Sequence, residues 1–256
     1  MTTRISAEQL LVHEPEETVE RIKRFLRTHR EKTGASVFVV GMSGGLDSSV
    51  TASLCALAVG GRNVSGISLP ESETRTDGSL RDAREVAEKF MVPFKVIDIT
   101  PIVDAAAASI PRLNRRKASI PYANIKARLR AMLLYYYANT SKVLVVGTGD
   151  KSELMLGYFT KFGDGACDVL PLADLYKTSV RGLAKHLGIP KRIYSKAPSP
   201  ELWPGQTAEA ELGLEYDKLD SILWGLERWM TPKDIAEDTG LSVALVQRVR
   251  DRWLAS

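Results

Sequence analysis

Short apolar runs alternate with longer amphipathic stretches along most of the chain. The runs are bounded by glycine, proline and polar residues, which is typical of buried strands, and they cover residues 37–40, 64–69, 94–99 and 142–147. The stretches between and after them predict helices over residues 48–59, 79–91, 101–110, 121–137 and 171–186. Strands that alternate with helices predict an α/β fold, a doubly wound parallel sheet with flanking helices.

Helical patterns also occupy both ends of the chain. Ser6-Ala-Glu-Gln9 predicts a capping box before a first short helix, and an amphipathic second helix ends at Gly34, which is placed as a C-terminal cap. We predict a single domain over residues 1–256, with N-terminal helices at about 6–33 and a C-terminal helical segment at about 216–254.

The composition is that of an ordinary globular chain. Of the 256 residues, 44% are hydrophobic and 26% are charged, and the net charge of +4 is compatible with nucleotide substrates but too small to indicate nucleic-acid binding. No apolar run approaches the roughly 20 residues of a membrane span, so we expect a soluble cytoplasmic protein without a membrane partner. The two cysteines, Cys55 and Cys167, lack metal-ligand spacing, and Cys55 is expected in the core.

The loop after the first predicted strand carries the clearest chemistry. Gly41-Met-Ser-Gly-Gly-Leu-Asp-Ser48 leads from that strand into a helix, and we name it the phosphate loop. Its glycines let the backbone approach a ligand closely, and the unpaired N–H groups at the start of the helix favour an anion. The loop lacks the Gly-Lys-Ser/Thr of a Walker A motif and carries Asp47 instead. A carboxylate beside phosphates predicts a divalent cation between them, and Mg²⁺ is the usual choice.

Two segments after the fourth predicted strand add candidates. The glycine turn at 145–148 repeats that of the first strand, so Glu153 is a candidate second carboxylate for the cation, the alternative being a surface charge. The segment at 157–168, here named the aromatic loop, carries side chains that suit stacking on flat rings or that pin the loop to the core. These aromatic residues are Tyr158, Phe159 and Phe162. The charged residues of this loop also have simpler interpretations. Asp164 and Asp168 could be turn residues, and Lys161 could be a surface charge.

The helix predicted at 121–137 begins with a basic segment. Asn124 and Arg128 are four residues apart and share one face, where Arg128 is a candidate for a bidentate grip on a phosphate or carboxylate. Lys126 and Arg130 share another face, which we interpret as a solvated basic face.

These segments together resemble the ammonia-dependent NAD synthetases. The phosphate loop alone resembles that of all ATP pyrophosphatases, which split ATP between its α- and β-phosphates. The family strings found in order and spacing between residues 37 and 223 are Gly41-Met-Ser-Gly-Gly-Leu-Asp-Ser48, Asn124-Ile-Lys-Ala-Arg128, Gly147-Thr-Gly-Asp-Lys-Ser-Glu153, Gly157-Tyr-Phe-Thr-Lys-Phe-Gly-Asp164, Asp174-Leu-Tyr-Lys-Thr178, Pro198-Ser-Pro-Glu-Leu-Trp-Pro-Gly-Gln-Thr207 and Glu211-Leu-Gly-Leu-Glu-Tyr-Asp-Lys-Leu-Asp220. The resemblance implies an adenine nucleotide alpha hydrolase-like fold of the ATP pyrophosphatase type.

The resemblance also implies roles for the residues that match family positions. The residues that would hold ATP are Gly41, Met42, Ser43, Gly44, Gly45, Leu46, Asp47, Ser48, Thr148, Lys177 and Ser199. Asp47 and Glu153 would bind Mg²⁺, and Asp47 and Lys177 would act in catalysis. Contacts to deamido-NAD would come from Arg128, Lys161 and Asp168, at the interface between the two subunits of a homodimer.

By the same resemblance the chain is a ligase of NAD biosynthesis. The carboxylate of deamido-NAD would attack the α-phosphorus of ATP and release pyrophosphate, and ammonia would then convert the acyl-adenylate to NAD and AMP. Glutamine-dependent members carry an added amidase domain, for which 256 residues leave no room, so ammonia itself is expected as the nitrogen source. Two departures from the family occur. Ala208 replaces the aspartate of a Gln-Thr-Asp-Glu string, and the basic pair after the last helix is missing.

Two other functions remain open at this point. Another amidating ATP pyrophosphatase, of the purine nucleotide synthetase type, shares the phosphate loop, although residues 158–168 and 206–220 argue against it. The segment 231–253 has the pattern of a helix-turn-helix that could read a DNA major groove, with Arg248 and Arg250 on its second helix. The alternative, which we favour, is a helix pair that packs on the domain.

Overall fold

The computed structural model describes residues 5, 10, 12, 14–113, 119–140 and 142–256, with only the backbone of Ser119. The capping box predicted at 6–9 lies outside the described residues. The second N-terminal helix is present as α1 (Pro15–Thr33). It begins with a proline, whose missing N–H costs nothing at that position, and it ends at Gly34 in the left-handed conformation, with a φ of 67°.

Four parallel strands form one sheet, as the sequence predicted. They are β1 (Val37–Gly41), β2 (Val64–Ser68), β3 (Phe94–Val96) and β4 (Val143–Val146). The order is β3-β2-β1-β4, and in register Val39 of β1 lies between Ser65 and Val145. β3 is shorter than predicted, and Asp98 accepts a 2.8 Å hydrogen bond from the backbone N–H of Thr100, where the next helix begins.

The helices predicted between and after the strands are present in the described residues. Those between the strands are α2 (Leu46–Val59), α3 (Asp77–Lys89), α4 (Thr100–Ala108) and α5 (Ser119–Asn139). Those after β4 are α6 (Lys151–Met155), α7 (Lys177–His186), α8 (Lys191–Tyr194), α9 (Ala208–Leu212), α10 (Tyr216–Glu227), α11 (Pro232–Thr239) and α12 (Val243–Leu254). Three short helices of this second group, α6, α8 and α9, were not predicted. None of the described helices is long and apolar enough to span a membrane.

One boundary differs clearly from the prediction, because α7 begins at Lys177 rather than near residue 171. Its first N–H groups are capped by side chains from other elements. Lys177 N donates to Ser152 Oγ at 2.9 Å, and Thr178 N donates to Asp220 Oδ2 at 2.8 Å. A cap supplied by tertiary structure therefore decides where this helix starts.

The two faces of the sheet bury different helices. Phe38 and Val40 of β1 pack in a cluster with α1, α2, α3 and α7, whereas Val39 packs on the opposite face with α4 and α5, as the alternation of a strand requires. Cys55 is buried in the first cluster, as predicted. A third cluster joins α10, α11 and α12, and Val246 is fully buried in it, so the C-terminal helix pair packs on the domain.

Candidate active site

A cavity of about 430 Å³ opens where β1, β2 and β4 end. Its walls come from the loops that follow these strands, from α5, from the aromatic loop and from the segment 196–206. The carboxyl edge of a parallel sheet is where such folds bind ligands, so the cavity lies where the alternating strands and helices predicted a site.

The phosphate loop lines one side of the cavity with every residue of 41–48 except Gly44. Gly45 N donates a 3.2 Å hydrogen bond to Ser43 Oγ, which in turn lies 3.1 Å from Ser48 Oγ, and these contacts fix the loop. Within the described residues no side chain caps the start of α2, so its first N–H groups are available to an anion. The loop therefore has the features of a phosphate cradle.

One lysine gathers three carboxylates beside the phosphate loop. Lys177 Nζ lies 2.8 Å from Asp47 Oδ2 and 2.8 Å from Glu153 Oε1. Asp150 Oδ2 lies 3.0 Å from the same nitrogen. Lys177 and Asp150 are completely buried, whereas the side chains of Asp47 and Glu153 are 21% and 20% exposed and line the cavity. The structure thus brings Asp47, Glu153 and Lys177 together.

Burial and charge act against each other in this cluster. Burial lowers the pKa of Lys177, but the three carboxylates together outweigh it and raise this pKa well above its usual value, so the ammonium group stays charged. Burial raises the pKa of both Asp150 and Glu153, and repulsion from the neighbouring carboxylates adds to the increase. The carboxyl groups therefore outnumber the one ammonium group, and those of Asp47 and Glu153 face the cavity.

This donor set fits a magnesium ion held jointly with phosphates. Asp47 Oδ1 is buried and has no hydrogen-bond partner among the described residues, so a strong acceptor beside the phosphate loop remains for a cation. Mg²⁺ usually takes one or two carboxylates together with substrate phosphates. In the described part of the chain, no group of three or more His, Cys, Asp or Glu side chains is arranged to hold a metal ion. The site therefore suits a metal that arrives with a nucleotide.

Asp150 and Asp220 are two residues of this region that sequence reasoning missed. Asp150 caps α6 by accepting from Glu153 N at 2.9 Å, while Glu153 Oε2 accepts from Asp150 N at 3.2 Å, and this capping box fixes the orientation of Glu153. Asp220 is buried and accepts from Ser152 Oγ at 2.5 Å and from Thr178 Oγ1 at 2.7 Å. The Asp-x-x-Glu spacing of residues 150–153 was a usable signal for the first of them. Asp220 ends the last family string, but no pattern in its own segment indicates its contacts with Ser152 and Thr178.

The other predicted site residues divide into two groups. Thr148 and Ser199 line the cavity. Arg128, Lys161 and Asp168 do not line it, and all three are exposed at the surface where the aromatic loop meets α5. Arg128 Nε donates to the Lys161 carbonyl at 3.2 Å, and Asp168 Oδ2 accepts a backbone N–H of β4 at 2.7 Å. A single chain does not bring these three residues into the cavity.

Lys126 and Arg130 show that the solvated basic face was a wrong interpretation. Lys126 is completely buried, and its Nζ donates to Glu71 Oε2 at 2.8 Å and to the Leu202 carbonyl at 3.1 Å. Arg130 lines the cavity, and its Nε donates to the Leu69 carbonyl at 3.0 Å. Helical periodicity assigned both residues to one face correctly, but loops that are distant in the sequence cover that face.

The aromatic loop closes another side of the cavity. Tyr158 and Phe159 line it, whereas Phe162 is 71% exposed and does not. Tyr158 Oη donates to Glu211 Oε1 at 2.8 Å, and Gln206 Nε2 donates to the same oxygen at 2.7 Å. The loop is therefore fixed to the segment around α9, and two of its three predicted stacking residues face the space where a ligand would bind.

The fold and the site define the class of the protein, an α/β enzyme of the adenine nucleotide alpha hydrolase-like fold. A family model described as NAD synthase matches residues 18–256. The chain is 43% identical over 254 residues to the NH(3)-dependent NAD(+) synthetase of Hyperthermus butylicus, covering 99% of this chain and 91% of the relative. It is 46% identical over 233 residues to that of Aeropyrum pernix, covering 90% and 82%. The chain belongs to the NAD synthase family and is an enzyme, a ligase that forms a C–N bond.

Solved structures agree with the family assignment. The NMN synthetase from Francisella tularensis has a TM-score of 0.78 at 36% identity and covers 90% of this chain and 94% of its own. The NH3-dependent NAD synthetase from Campylobacter jejuni, in complex with the nitrate ion, has a TM-score of 0.79 at 28% identity and covers 96% and 95%. The resemblance found in the sequence and the fold expected from it are confirmed.

Proposed function

We propose that the chain amidates deamido-NAD to NAD with ammonia, using ATP and Mg²⁺ and releasing AMP and pyrophosphate. The observation that carries the proposal is the phosphate loop with Asp47, Glu153 and Lys177 joined at its side. The nitrogen source is supported by relatives that are NH(3)-dependent NAD(+) synthetases and that this chain covers over 91% and 82% of their length. The phosphate loop, Asp47, Glu153 and Lys177 would bind and orient phosphates, and none of them would attack the substrate.

The reaction has two steps. Backbone N–H groups of residues 41–48 and of the start of α2 hold the phosphates of ATP, while the substrate carboxylate attacks the α-phosphorus and pyrophosphate leaves. A Mg²⁺ ion held by Asp47 and Glu153 would supply positive charge for the leaving pyrophosphate. Ammonia then attacks the acyl carbon, the C–O bond to AMP breaks, and the nitrogen loses a proton to become the amide. Lys177 keeps the two carboxylates in place, and the remaining ATP contacts belong to Thr148 and Ser199.

A second acid substrate is favoured by one specific observation. The NMN synthetase from Francisella tularensis is 36% identical to this chain, which is a closer match than the 28% of the NAD synthetase from Campylobacter jejuni. A mononucleotide would present the same carboxylate to the same ATP site and would lack the second nucleotide half. The curated relatives favour the dinucleotide as the first candidate.

We also propose that the working enzyme is a homodimer in which Arg128, Lys161 and Asp168 contact deamido-NAD. The support is an exposed stripe on α5 that continues from Arg128. Met132 and Tyr136 follow at intervals of four residues on the same helix face, and they are 52% and 62% exposed. Apolar side chains next to substrate-binding charges fit an interface between two copies of the chain better than a face in water.

A stoichiometric assay tests the proposed reaction. Purified protein with ATP, Mg²⁺, deamido-NAD and ammonium should form NAD, AMP and pyrophosphate in equal amounts. Asp47→Asn should lower the rate about 100-fold or more, because the charge that binds the cation beside the phosphates is lost. Asp174→Asn is the matched control, since this side chain is 86% exposed and lies outside the cavity, and it should keep the wild-type rate.

Three further conditions sharpen the assay. Removing Mg²⁺ with a chelator should stop product formation, and glutamine should not replace ammonium. Nicotinate mononucleotide in place of deamido-NAD tests the second candidate, and a higher kcat/KM with it would make the mononucleotide the substrate. Absence of turnover with both acids would overturn the proposed function.

A further inference from the structure

Arg130 brings a cationic side chain into the cavity without a carboxylate partner. Its Nε donates to the Leu69 carbonyl at 3.0 Å, and within the described residues it makes no other hydrogen bond and no ion pair. A guanidinium group has five N–H donors, so most of them remain for a ligand. Burial lowers the pKa of Arg130, and the more distant negative charges of Glu201, Glu71 and Asp164 act against this decrease.

A cation removed from water destabilises a protein unless an anion joins it. The neighbouring Lys126, four residues earlier on α5, follows this rule, because its ammonium group lies 2.8 Å from Glu71 Oε2 and 3.0 Å from Glu73 Oε2. Lys177 also obeys this rule, because three carboxylates lie within 3.0 Å of its ammonium group. Arg130 is partly buried and forms no ion pair within the described residues, and the cavity in front of it is where an anionic ligand would supply the missing charge.

The contacts of α5 define where Arg130 lies along the cavity. One turn further on, Leu134 packs on the phosphate loop, since a Cβ built on Gly41 would lie 3.3 Å from Leu134 Cδ1. One turn earlier, Ala127 packs on the aromatic loop, since a Cβ built on Gly163 would lie 2.9 Å from Ala127 Cβ. A helix advances about 5.4 Å per turn, so Arg130 stands about one turn from each loop.

We infer that Arg130 binds anionic oxygens where the α-phosphate of the nucleotide meets the carboxylate of the acid substrate. The inference rests on the proposed function, because it takes these two anions as the reacting groups. The planar guanidinium group can donate parallel hydrogen bonds to two oxygens, which a lysine cannot do. Its charge reduces the repulsion between the two anions as they approach and stabilises the charge that develops on the phosphate.

Direct binding measurements separate this role from a structural one. The affinity of two ligand pairs is measured by calorimetry, and the members of each pair differ in one anionic group: AMP against adenosine, and deamido-NAD against NAD. Arg130→Met should reduce the preference for the anionic member about 10- to 100-fold in at least one pair. A loss in the first pair assigns Arg130 to the phosphate, and a loss in the second assigns it to the carboxylate. If both preferences equal those of the wild type, the inference is overturned.

Controls keep the test decisive. Arg27→Met removes an arginine whose Nε likewise donates to a carbonyl, that of Ala58 at 2.7 Å, but which lies outside the cavity, and it should leave both preferences unchanged. If circular dichroism shows that Arg130→Met does not fold, Arg130→Gln takes its place with the same expected loss. Wild-type turnover is measured separately. If the wild type shows no turnover but its preference for AMP over adenosine depends on Arg130, only the proposed function is overturned. If the wild type turns over and Arg130→Met leaves both ligand preferences unchanged, only the inference is overturned.

Discussion

Among single residues, Lys177 has the greatest influence on the charge of the site. Its ammonium group is completely buried and is surrounded by three carboxylates. Buried carboxylates without a counter-charge are strongly destabilising, so Lys177 supplies the positive charge that holds Asp47 and Glu153 next to each other. The ring of Tyr216, with its centroid 5.3 Å from Nζ, encloses the group further. In the proposed reaction, Lys177 would therefore act on the phosphates through the acids that it positions.

Lys177→Met is expected to lower the free energy of unfolding by about 3–5 kcal/mol near pH 8, and by less near pH 5. Without the ammonium group, the pKa values of Asp150 and Glu153, which burial already raises, rise further above those of the unfolded chain. The folded variant then binds more protons than the unfolded chain, so its stability relative to the wild type improves as the pH falls. Urea unfolding of the metal-free protein at both pH values measures this difference.

Lys151→Met is the matched control for this prediction. Lys151 also pairs with two carboxylates, Asp174 and Glu227, and lies 5.1 Å from the ring centroid of Tyr176. Its partners are 86% and 37% exposed, so the expected loss is within about 1 kcal/mol and changes little between the two pH values. An equal loss for Lys177→Met at both pH values would contradict the proposed charge balance.

The residues whose position at the cavity was predicted correctly are those whose neighbours in the chain already indicate a site. Asp47 stands inside a glycine-rich loop, and Glu153 follows a second strand-to-glycine turn, so the sequence alone placed both at the site where the structure has them. The position of Arg130 in the cavity could not be predicted, because its neighbours on α5 indicate only a basic helix face. Its position in the cavity depends on contacts with the loops that contain Gly41 and Gly163, which are distant along the chain.

Among the elements, the phosphate loop depends on the start of α3 for its shape. Gly44 has a φ of 87°, and a Cβ built on it would lie 2.0 Å from the backbone oxygen of Ser79. Ser79 is itself held by the cap of α3, because its N–H donates to Thr76 Oγ1 at 3.0 Å. A side chain at Gly44 would therefore be strained by its backbone conformation and would also displace one of the two elements.

Gly44→Ala is expected to weaken ATP binding about 100-fold or more, because the loop must shift away from α3 and the N–H groups that hold phosphates move with it. Gly182→Ala is the control. Gly182 lies inside α7 with no atom within 4 Å of an added Cβ, so the change should raise the free energy of unfolding by about 0.5–1 kcal/mol and leave ATP affinity unchanged. Calorimetric titration with ATP measures both variants. An affinity of Gly44→Ala within a few-fold of the wild type would refute the close packing.

The ends of the elements show which boundaries a sequence can reveal. α1 ends at Gly34, and α6 begins with the capping box of Asp150, so in both cases the signal lies within a few residues of the boundary. α7 begins where Ser152 and Asp220 supply its cap, and no local pattern contains that information. The predicted order of strands and helices was therefore correct, while a boundary that depends on tertiary contacts was not.

For the whole molecule, the residues that we propose to bind substrates form two groups that one chain keeps apart. The phosphate loop, Glu153 and Arg130 meet in the cavity, whereas Arg128 and Lys161 lie on the outer surface of the same chain. A dinucleotide is long enough to reach from a cavity to residues beyond it. Two copies joined through the exposed stripe of α5 would bring such residues together, and this is the physical reason to expect a dimer rather than a monomer.

Tyr136→Arg should therefore separate the subunits and weaken the binding of deamido-NAD more than that of ATP. A charge placed in the centre of an apolar interface must lose its hydration without a partner, which opposes association. Light scattering after gel filtration measures the molar mass, and the KM values of the two substrates show which half of the site is affected. The KM for ATP should stay unchanged, because the phosphate loop belongs to one chain.

Trp229→Arg is the matched control, since Trp229 is 90% exposed in the turn between α10 and α11, away from the stripe on α5. A monomeric wild type with full activity would refute the dimer, and a dimeric Tyr136→Arg variant with unchanged KM values would show that another surface forms the interface.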